Sequence, residues 1–290
     1  MMLLQPYKTQ FVTSLLPLVG EAEAQSFFYL ILENLHQLRR IDLALAPAYK
    51  ISEAQWQEWE TIRLRLLNQE PIQYILGSTT FYDLPFLVNP AVLIPRPETE
   101  ELVAWVIERF SVSNNQQPTT DNRQRLLDIG TGSGCIAIAL AKNLPGVEVF
   151  ALDVSASALE AARLNAKHNG VQLKFIHQNI LETKVLDQLY DVIVSNPPYV
   201  RELEKHEILP NVLKHEPHLA LFVADEDPLL FYRKIGELAF KALTPNGNLF
   251  VEINQYLGEA TAQLFQQIGF TQVELKKDLY GNHRMICASR

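Results

Sequence analysis

The chain has 290 residues, 48% of them hydrophobic and 20% charged, a globular composition that excludes a fibrous or wholly disordered chain. Its formal net charge of -8 argues against long-range attraction to nucleic-acid phosphates. Two cysteines, Cys135 and Cys287, provide neither a disulfide framework nor a zinc spacing, so a reducing cytoplasm is the expected setting and no metal is assigned. No apolar run is read as long enough to span a membrane. The stretch 11–19 is interrupted by Pro17 and followed by Glu21 and Glu23, which do not suit a signal peptide.

Residues 1 to about 70 read as helical. Phe27, Phe28, Ile31, Leu35 and Leu38 recur on one face, and Ser52 with Gln55 forms a capping box before a helix carrying Trp56, Trp59, Ile62 and Leu66. These aromatics read as core. Residues 74–88 turn aromatic and β-branched around Gly77 and Pro85, which predicts a β-hairpin connector. Pro97 then suits the first turn of a helix running to Phe110. The glutamates behind it, Glu98, Glu100 and Glu101, serve either the helix dipole or a ligand. The polar stretch 111–124 reads as a surface loop.

From Arg125 onward short apolar runs alternate with helical segments. Residues 125–129, 147–152, 173–176 and 191–194 read as strands, 135–143 and 156–169 as helices, and 247–253 as a fifth strand after a helix over 229–242. Two more strands, 270–275 and 284–288, flank a turn at 279–282. This alternation predicts an α/β fold with a mostly parallel sheet covered on both faces. The divisions expected are 1–73, 74–94 and 95–290.

Three pieces fall at strand ends on the carboxyl edge of that sheet, where open α/β sheets bind ligands. The first is Gly130-Thr131-Gly132-Ser133-Gly134, a turn that lets a ligand approach backbone unobstructed. The second is Asp153, able to accept both hydroxyls of a ribose, or else to serve as a helix cap or turn residue. The third is Asn196-Pro197-Pro198-Tyr199. The Asn196 side-chain carbonyl, the Pro197 backbone carbonyl and the Tyr199 ring suit a planar NH2 group, in a carboxamide or an exocyclic base amine.

This combination resembles the class I methyltransferases that use S-adenosylmethionine. More narrowly, the chain is similar to the bacterial-type release-factor glutamine N5-methyltransferase family. The resemblance rests on Gln73 to Gly77, Ile94 to Glu100, Asp128 to Gly134, Asn196 to Tyr199, His215 to Pro217 with Leu219 to Leu221, and Asp278 to Gly281. Pro95-Arg96-Pro97-Glu98-Thr99-Glu100 discriminates most. Three positions depart from the family: Asn179 where Asp is frequent beside the adenine, Asn254 where glycine is usual, and His283 where Asp is common.

The resemblance implies a Rossmann-like, mostly parallel seven-stranded sheet with a small N-terminal helical domain for substrate recognition and a β-hairpin connector. It implies S-adenosyl-L-methionine as donor, leaving S-adenosyl-L-homocysteine, and peptide chain release factors as protein partners in translation termination. The donor would lie on residues 130–134, Asp153, Asn179 or Ile180, and Asn196, with Arg96 and Glu98 near the mouth. The substrate amide would meet Asn196, Pro197, Pro198 and Tyr199, with Asn196, Pro197 and Tyr199 as catalytic residues. Competing readings are a DNA or RNA amino-methyltransferase, a non-catalytic release-factor docking protein and, more distantly, a nicotinamide dehydrogenase. The acidic charge and intact Asn196 to Tyr199 count against them. No direct nucleic-acid or membrane partner is expected.

Overall fold

The structure, a computed structural model, describes residues 1–113 and 124–290. Most of the polar stretch expected as a surface loop, 114–123, lies outside the described residues. The chain divides into two units, Met1–Gly77 with Leu209–His215, and Ser78–Ile208 with Glu216–Arg290.

In the first unit, β1 (Met2–Leu3) pairs antiparallel with β2 (Lys50–Ile51), and the helices are α1 (Leu4–His36), α2 (Arg40–Leu45), α3 (Glu53–Leu67) and α4 (Ile72–Leu76). α1 is interrupted at Gly20, whose φ is +77°. α3 opens on the expected capping box: the Gln55 N–H donates to Ser52 Oγ at 3.3 Å and the Ser52 N–H to Gln55 Oε1 at 2.8 Å. α4 ends at Gly77 in the left-handed region. Residues 74–76, expected to begin the extended connector, are therefore the last turn of a helix.

Trp59, fully buried, organises this unit's core against Tyr7, Phe11 and Phe28, with ring centroids 5.9, 5.8 and 4.8 Å away. Its Nε1–H donates to Nε2 of half-buried His36 at 2.9 Å, and burial lowers the His36 pKa below its ordinary value, keeping that nitrogen an acceptor. By length and composition α1 would reach across a membrane, which the reading of short apolar runs did not foresee. Its Leu4, Phe11, Leu15, Phe28, Ile31 and Leu32 are nevertheless all buried in the Trp59 core.

The second unit begins with the hairpin of β3 (Ser78–Phe81) and β4 (Leu84–Leu87), then α5 (Pro97–Ser113), β5 (Arg125–Ile129), α6 (Cys135–Asn143), β6 (Glu148–Asp153), α7 (Ala156–His168), β7 (Lys174–His177) and β8 (Tyr190–Ser195). A stretch with no assignment from sequence follows: β9 (Val200–Arg201), a 3-10 helix (Glu202–Glu207), α8 (Pro210–His215, in the first unit), α9 (His218–Leu221) and β10 (Phe222–Val223), with β9 and β10 pairing in parallel. The chain ends with α10 (Leu230–Ala242), β11 (Leu243–Glu252), α11 (Gly258–Ile268), β12 (Gln272–Lys277) and β13 (His283–Ser289).

Seven strands form one sheet in the order β12-β13-β11-β8-β5-β6-β7. β11, β8, β5, β6 and β7 run parallel, and β13 lies antiparallel between β11 and β12. Alternate side chains leave opposite faces. Leu126, Val192, Val194 and Phe250 pack with α5 and α6, whereas Leu127, Ile193, Leu249 and Val251 pack with α10 and α11. These strands are covered on both sides, which explains their near-continuous apolar runs.

The hairpin is bound to the sheet layer by two asparagines of the α7 region. The Leu87 N–H donates to Asn165 Oδ1 at 2.7 Å, and Asn165 Nδ2 donates to Leu87 O at 3.0 Å and Ser133 O at 2.9 Å. Asn169 Nδ2 donates to Pro85 O at 2.9 Å. Buried amides satisfied this way fix one docking geometry.

Candidate active site

The strand order reverses between β5 and β8. From β5 the chain steps out to β6 and β7, then returns to β8 and β11 on the other side. A cleft opens beyond the carboxyl ends of the strands there, bordered by Gly130, Gly132, Asp153, Asn179, Ile180, Asn196, Pro197 and Pro198 among others. The sequence placed all of these at a ligand site.

The glycine turn is held by the neighbouring strand: the N–H groups of Gly130 and Thr131 donate to Leu152 O at 2.8 and 3.0 Å. Gly132 has φ +53°, and a Cβ there would meet nothing within 4 Å, so its bare backbone faces open space. Gly134 differs. A Cβ would lie 3.0 Å from Ile138 Cδ1 and 3.1 Å from Ala162 Cβ, so this glycine serves the packing of α6 on α7. Thr131 Oγ1 donates to Asp128 Oδ2 at 2.7 Å. Asp128 is fully buried, and burial pushes its carboxyl up to about 7 against the opposing pull of Thr131. Thr131, Ser133 and Gly134 do not border the cleft; they build the loop that Gly130 and Gly132 present.

Asp153 is 8% exposed. Its Oδ2 accepts the Gly132 N–H and its Oδ1 the Ser155 N–H, both at 2.8 Å. The turn role weighed for Asp153 is thus present, and a carboxylate oxygen with one N–H retains a lone pair for a further donor. Asn179 closes an Asx turn, its Oδ1 accepting the Leu181 N–H at 3.0 Å and its Nδ2 donating to Glu182 Oε1 at 3.0 Å. Ile180 is buried beside it.

Asn196 follows β8 directly. Its Nδ2 donates to Thr99 Oγ1 at 3.2 Å, and its Oδ1 meets no hydrogen-bond donor among the described residues. Thr99 Oγ1 in turn donates to Glu252 Oε2 at 2.6 Å, and Tyr199 OH donates to Glu252 Oε1 at 3.0 Å. Glu252 ends β11 and is 1% exposed. Burial pushes its carboxyl up, while the two hydroxyls and the charge of Arg284 work to keep it ionised. Burial and Glu252 hold the Tyr199 phenol well above its ordinary pKa, so it remains a donor. The stacking face expected of Tyr199 is not on the cleft: its ring packs against the core that covers the α10 side of the sheet.

Asn254 closes the far side of this network. Its Nδ2 donates to Tyr199 O at 3.0 Å and Glu204 Oε2 at 2.8 Å, and its Oδ1 accepts the Tyr256 N–H at 2.9 Å. The Asn254 side chain is therefore employed structurally. Arg96, expected near the mouth, pairs instead with buried Glu216 at 2.6 Å, which also accepts the Ile94 N–H at 3.2 Å. Glu100 accepts the Tyr82 N–H of the hairpin turn at 2.8 Å, and Glu101 the Leu279 N–H at 3.2 Å. Neither Arg96 nor Glu98 borders the cleft. The sequence assigned no role to Thr99, Glu204, Glu216 or Glu252. Thr99 and Glu216 lay inside recognised motifs, and Glu252 was legible only as a carboxylate ending a buried strand. Among the described residues no group of three or more His, Cys, Asp or Glu is arranged to hold a metal ion.

The strand order, with the glycine turn, strand-end Asp and Asn-Pro-Pro-Tyr at its switch point, defines a class I methyltransferase. The family description "Methyltransferase small domain" matches residues 112–219, and "PrmC N-terminal domain" matches residues 10–77. The release factor glutamine methyltransferase of Flavobacterium psychrophilum is 57% identical over 98% of both chains. That of Bacteroides thetaiotaomicron is 42% identical over 92% of this chain and 93% of its own. The chain belongs to the release factor glutamine methyltransferase family. Among solved structures, a T. thermophilus 16S rRNA N2 G1207 methyltransferase in complex with S-adenosylmethionine and guanosine is similar in fold, with TM-score 0.52, 18% identity, and coverage of 73% of this chain and 50% of that one.

The residues present fit the donor that this class uses. Gly132 offers backbone to open space, and each Asp153 oxygen has accepted one N–H and can accept another hydrogen bond at the cleft.

Proposed function

We propose that the protein methylates the side-chain amide nitrogen, N5, of the glutamine in the Gly-Gly-Gln motif of peptide chain release factors, with S-adenosyl-L-methionine as donor. The observation that carries the reading is Asn196: its carbonyl oxygen meets no hydrogen-bond donor among the described residues, and the residue borders the cleft that also holds Gly132 and Asp153. The names of the relatives supply the substrate. In this reading Asp153 holds the ribose, Gly130 and Gly132 give backbone to the polar end of the donor, and Asn179 and Ile180 border the adenine. S-adenosyl-L-methionine, when bound, supplies an electrophilic methyl group.

A carboxamide nitrogen is a weak nucleophile because its lone pair is delocalised. Asn196 Oδ1 and the Pro197 carbonyl each accept one of its N–H groups, which fixes its plane and favours electron density on nitrogen. Pro198 shapes the wall. Tyr199 acts from behind, through Glu252, rather than by stacking. The rate gain is positioning and electrostatics, without a strong base. The first unit is assigned recognition of the protein partner. Two cysteines without a disulfide suit a cytoplasmic setting.

Asn196→Ala tests this. A folded variant should keep its donor affinity and lose methyl transfer to purified release factor by on the order of 10²-fold or more. Near wild-type turnover would overturn the orientation mechanism.

A further inference from the structure

We infer that Thr99 and Glu252 are positioning residues that set the polarity of the Asn196 side chain, turning its oxygen rather than its NH2 toward the substrate amide. The inference rests on the proposed role of Asn196 and adds the residues that make that role possible. An Asn side chain fits its space almost equally well in either of two orientations related by a flip, so its neighbours must choose between them. Here the choice begins at Glu252. Against the burial that pushes its carboxyl up, a hydroxyl on each oxygen and the charge of Arg284 favour the carboxylate form of Glu252, which only accepts hydrogen bonds. Glu252 Oε2 therefore takes the Thr99 hydroxyl hydrogen, at 2.6 Å. With its one hydrogen committed, Thr99 Oγ1 can only accept from Asn196, and the only donor on that side chain is Nδ2, at 3.2 Å. Oδ1 is then left facing away, free to accept.

The remaining Glu252 oxygen is taken by Tyr199 OH at 3.0 Å, so the carboxylate is held by residues on both sides of the Asn196 turn. Thr99 is 2% exposed and Glu252 1% exposed, so water does not compete for these bonds and the direction of each is enforced. If the chain of donors were reversed, the Asn196 NH2 would face the substrate NH2, donor against donor, and the amide would be repelled.

The test uses the full-length chain. Thr99→Val keeps the shape and removes the relay; Thr99→Ser keeps the hydroxyl and loses only the methyl group. Glu252→Gln keeps the shape but offers an NH2 that can donate to Thr99 and reverse the relay. Thr99→Val and Glu252→Gln should lower kcat for release factor by roughly 10- to 100-fold, with donor Kd and release-factor KM within about twofold of wild type. Thr99→Ser should restore kcat to within a few-fold. The inference is overturned if Thr99→Val retains wild-type kcat while Asn196→Ala does not. It is also overturned if kcat and donor affinity fall together without rescue by Thr99→Ser, as a merely structural site would behave. Full turnover by Asn196→Ala would remove the underlying reading and this inference with it.

Discussion

Asp153 carries two duties that one substitution separates only in part. Its carboxylate holds the Gly132 and Ser155 N–H groups and, in the proposed reading, the donor ribose. Charge-assisted hydrogen bonds contribute about 1.5–3 kcal/mol, so Asp153→Ala should weaken S-adenosylmethionine binding by about tenfold or more. Calorimetry on a folded variant with unchanged affinity would remove Asp153 from the donor site. Asn254 offers a prediction on stability. Its amide donates to Tyr199 O and Glu204 at once, and Asn254→Ala removes both bonds in a buried setting, leaving Glu204 only its Arg201 partners. A loss of about 1–3 kcal/mol is expected in denaturant unfolding; an unchanged midpoint and slope would contradict it. Asn196 and Asp153 stood out in the sequence as candidates because each sits in a short local pattern at a strand end. Thr99 and Glu252 did not, because their contact joins residues separated by 153 positions. Nothing local in a helix turn or a strand end announces such a partner.

At the scale of elements, helices and strands were legible where burial imposed a period. The alternation in β5, β8 and β11 sorts side chains to two cores, and the capping box marked the start of α3. Short elements between 200 and 223 were not legible, because a two-residue strand pair and a 3-10 turn have no period to read. The hairpin turn carries a testable strain. Tyr82 and Asp83 have φ of +50° and +59°, the region of a two-residue hairpin turn that favours Asn and Gly. Asp83 is exposed, so Asp83→Gly should relieve the left-handed backbone cost, offset in part by glycine's freedom in the unfolded chain, and leave the protein at least as stable in urea unfolding. A destabilised variant would show that the turn is not strained there. His36 gives α1 and α3 a pH response. Its folded pKa is lowered by burial from the ordinary 6.5, so below that value the unfolded chain binds more protons than the folded one. Its contribution is complete above pH 6.5 and is lost as pH falls from there toward the folded pKa. The unfolding midpoint should therefore drop between pH 7.5 and 5.5, and His36→Gln should reduce this drop. An equally steep drop in that variant would place the response elsewhere.

For the whole molecule, composition suggested boundaries at 73/74 and 94/95, whereas the chain divides after Gly77 with Leu209–His215 in the first unit, a membership with no sequence signal. Those residues lie more than 130 positions beyond the rest of their unit, and the Lys214 Nζ to Gln69 Oε1 bond of 2.9 Å is a surface contact that no motif encodes. The charge balance, 33 acidic against 25 basic residues, bears on the substrate. A phosphate-bearing substrate would bring strong salt dependence, whereas a protein loop presenting one amide need not. The most direct measurement is labelled-methyl incorporation into purified release factor with its loop glutamine intact or replaced by glutamate, with duplex DNA as competitor. The account predicts label on the intact glutamine, located by mass mapping, none on the glutamate variant, which lacks the NH2, and no diversion to DNA. Equal labelling of the glutamate variant, or faster labelling of DNA than of release factor, would contradict it.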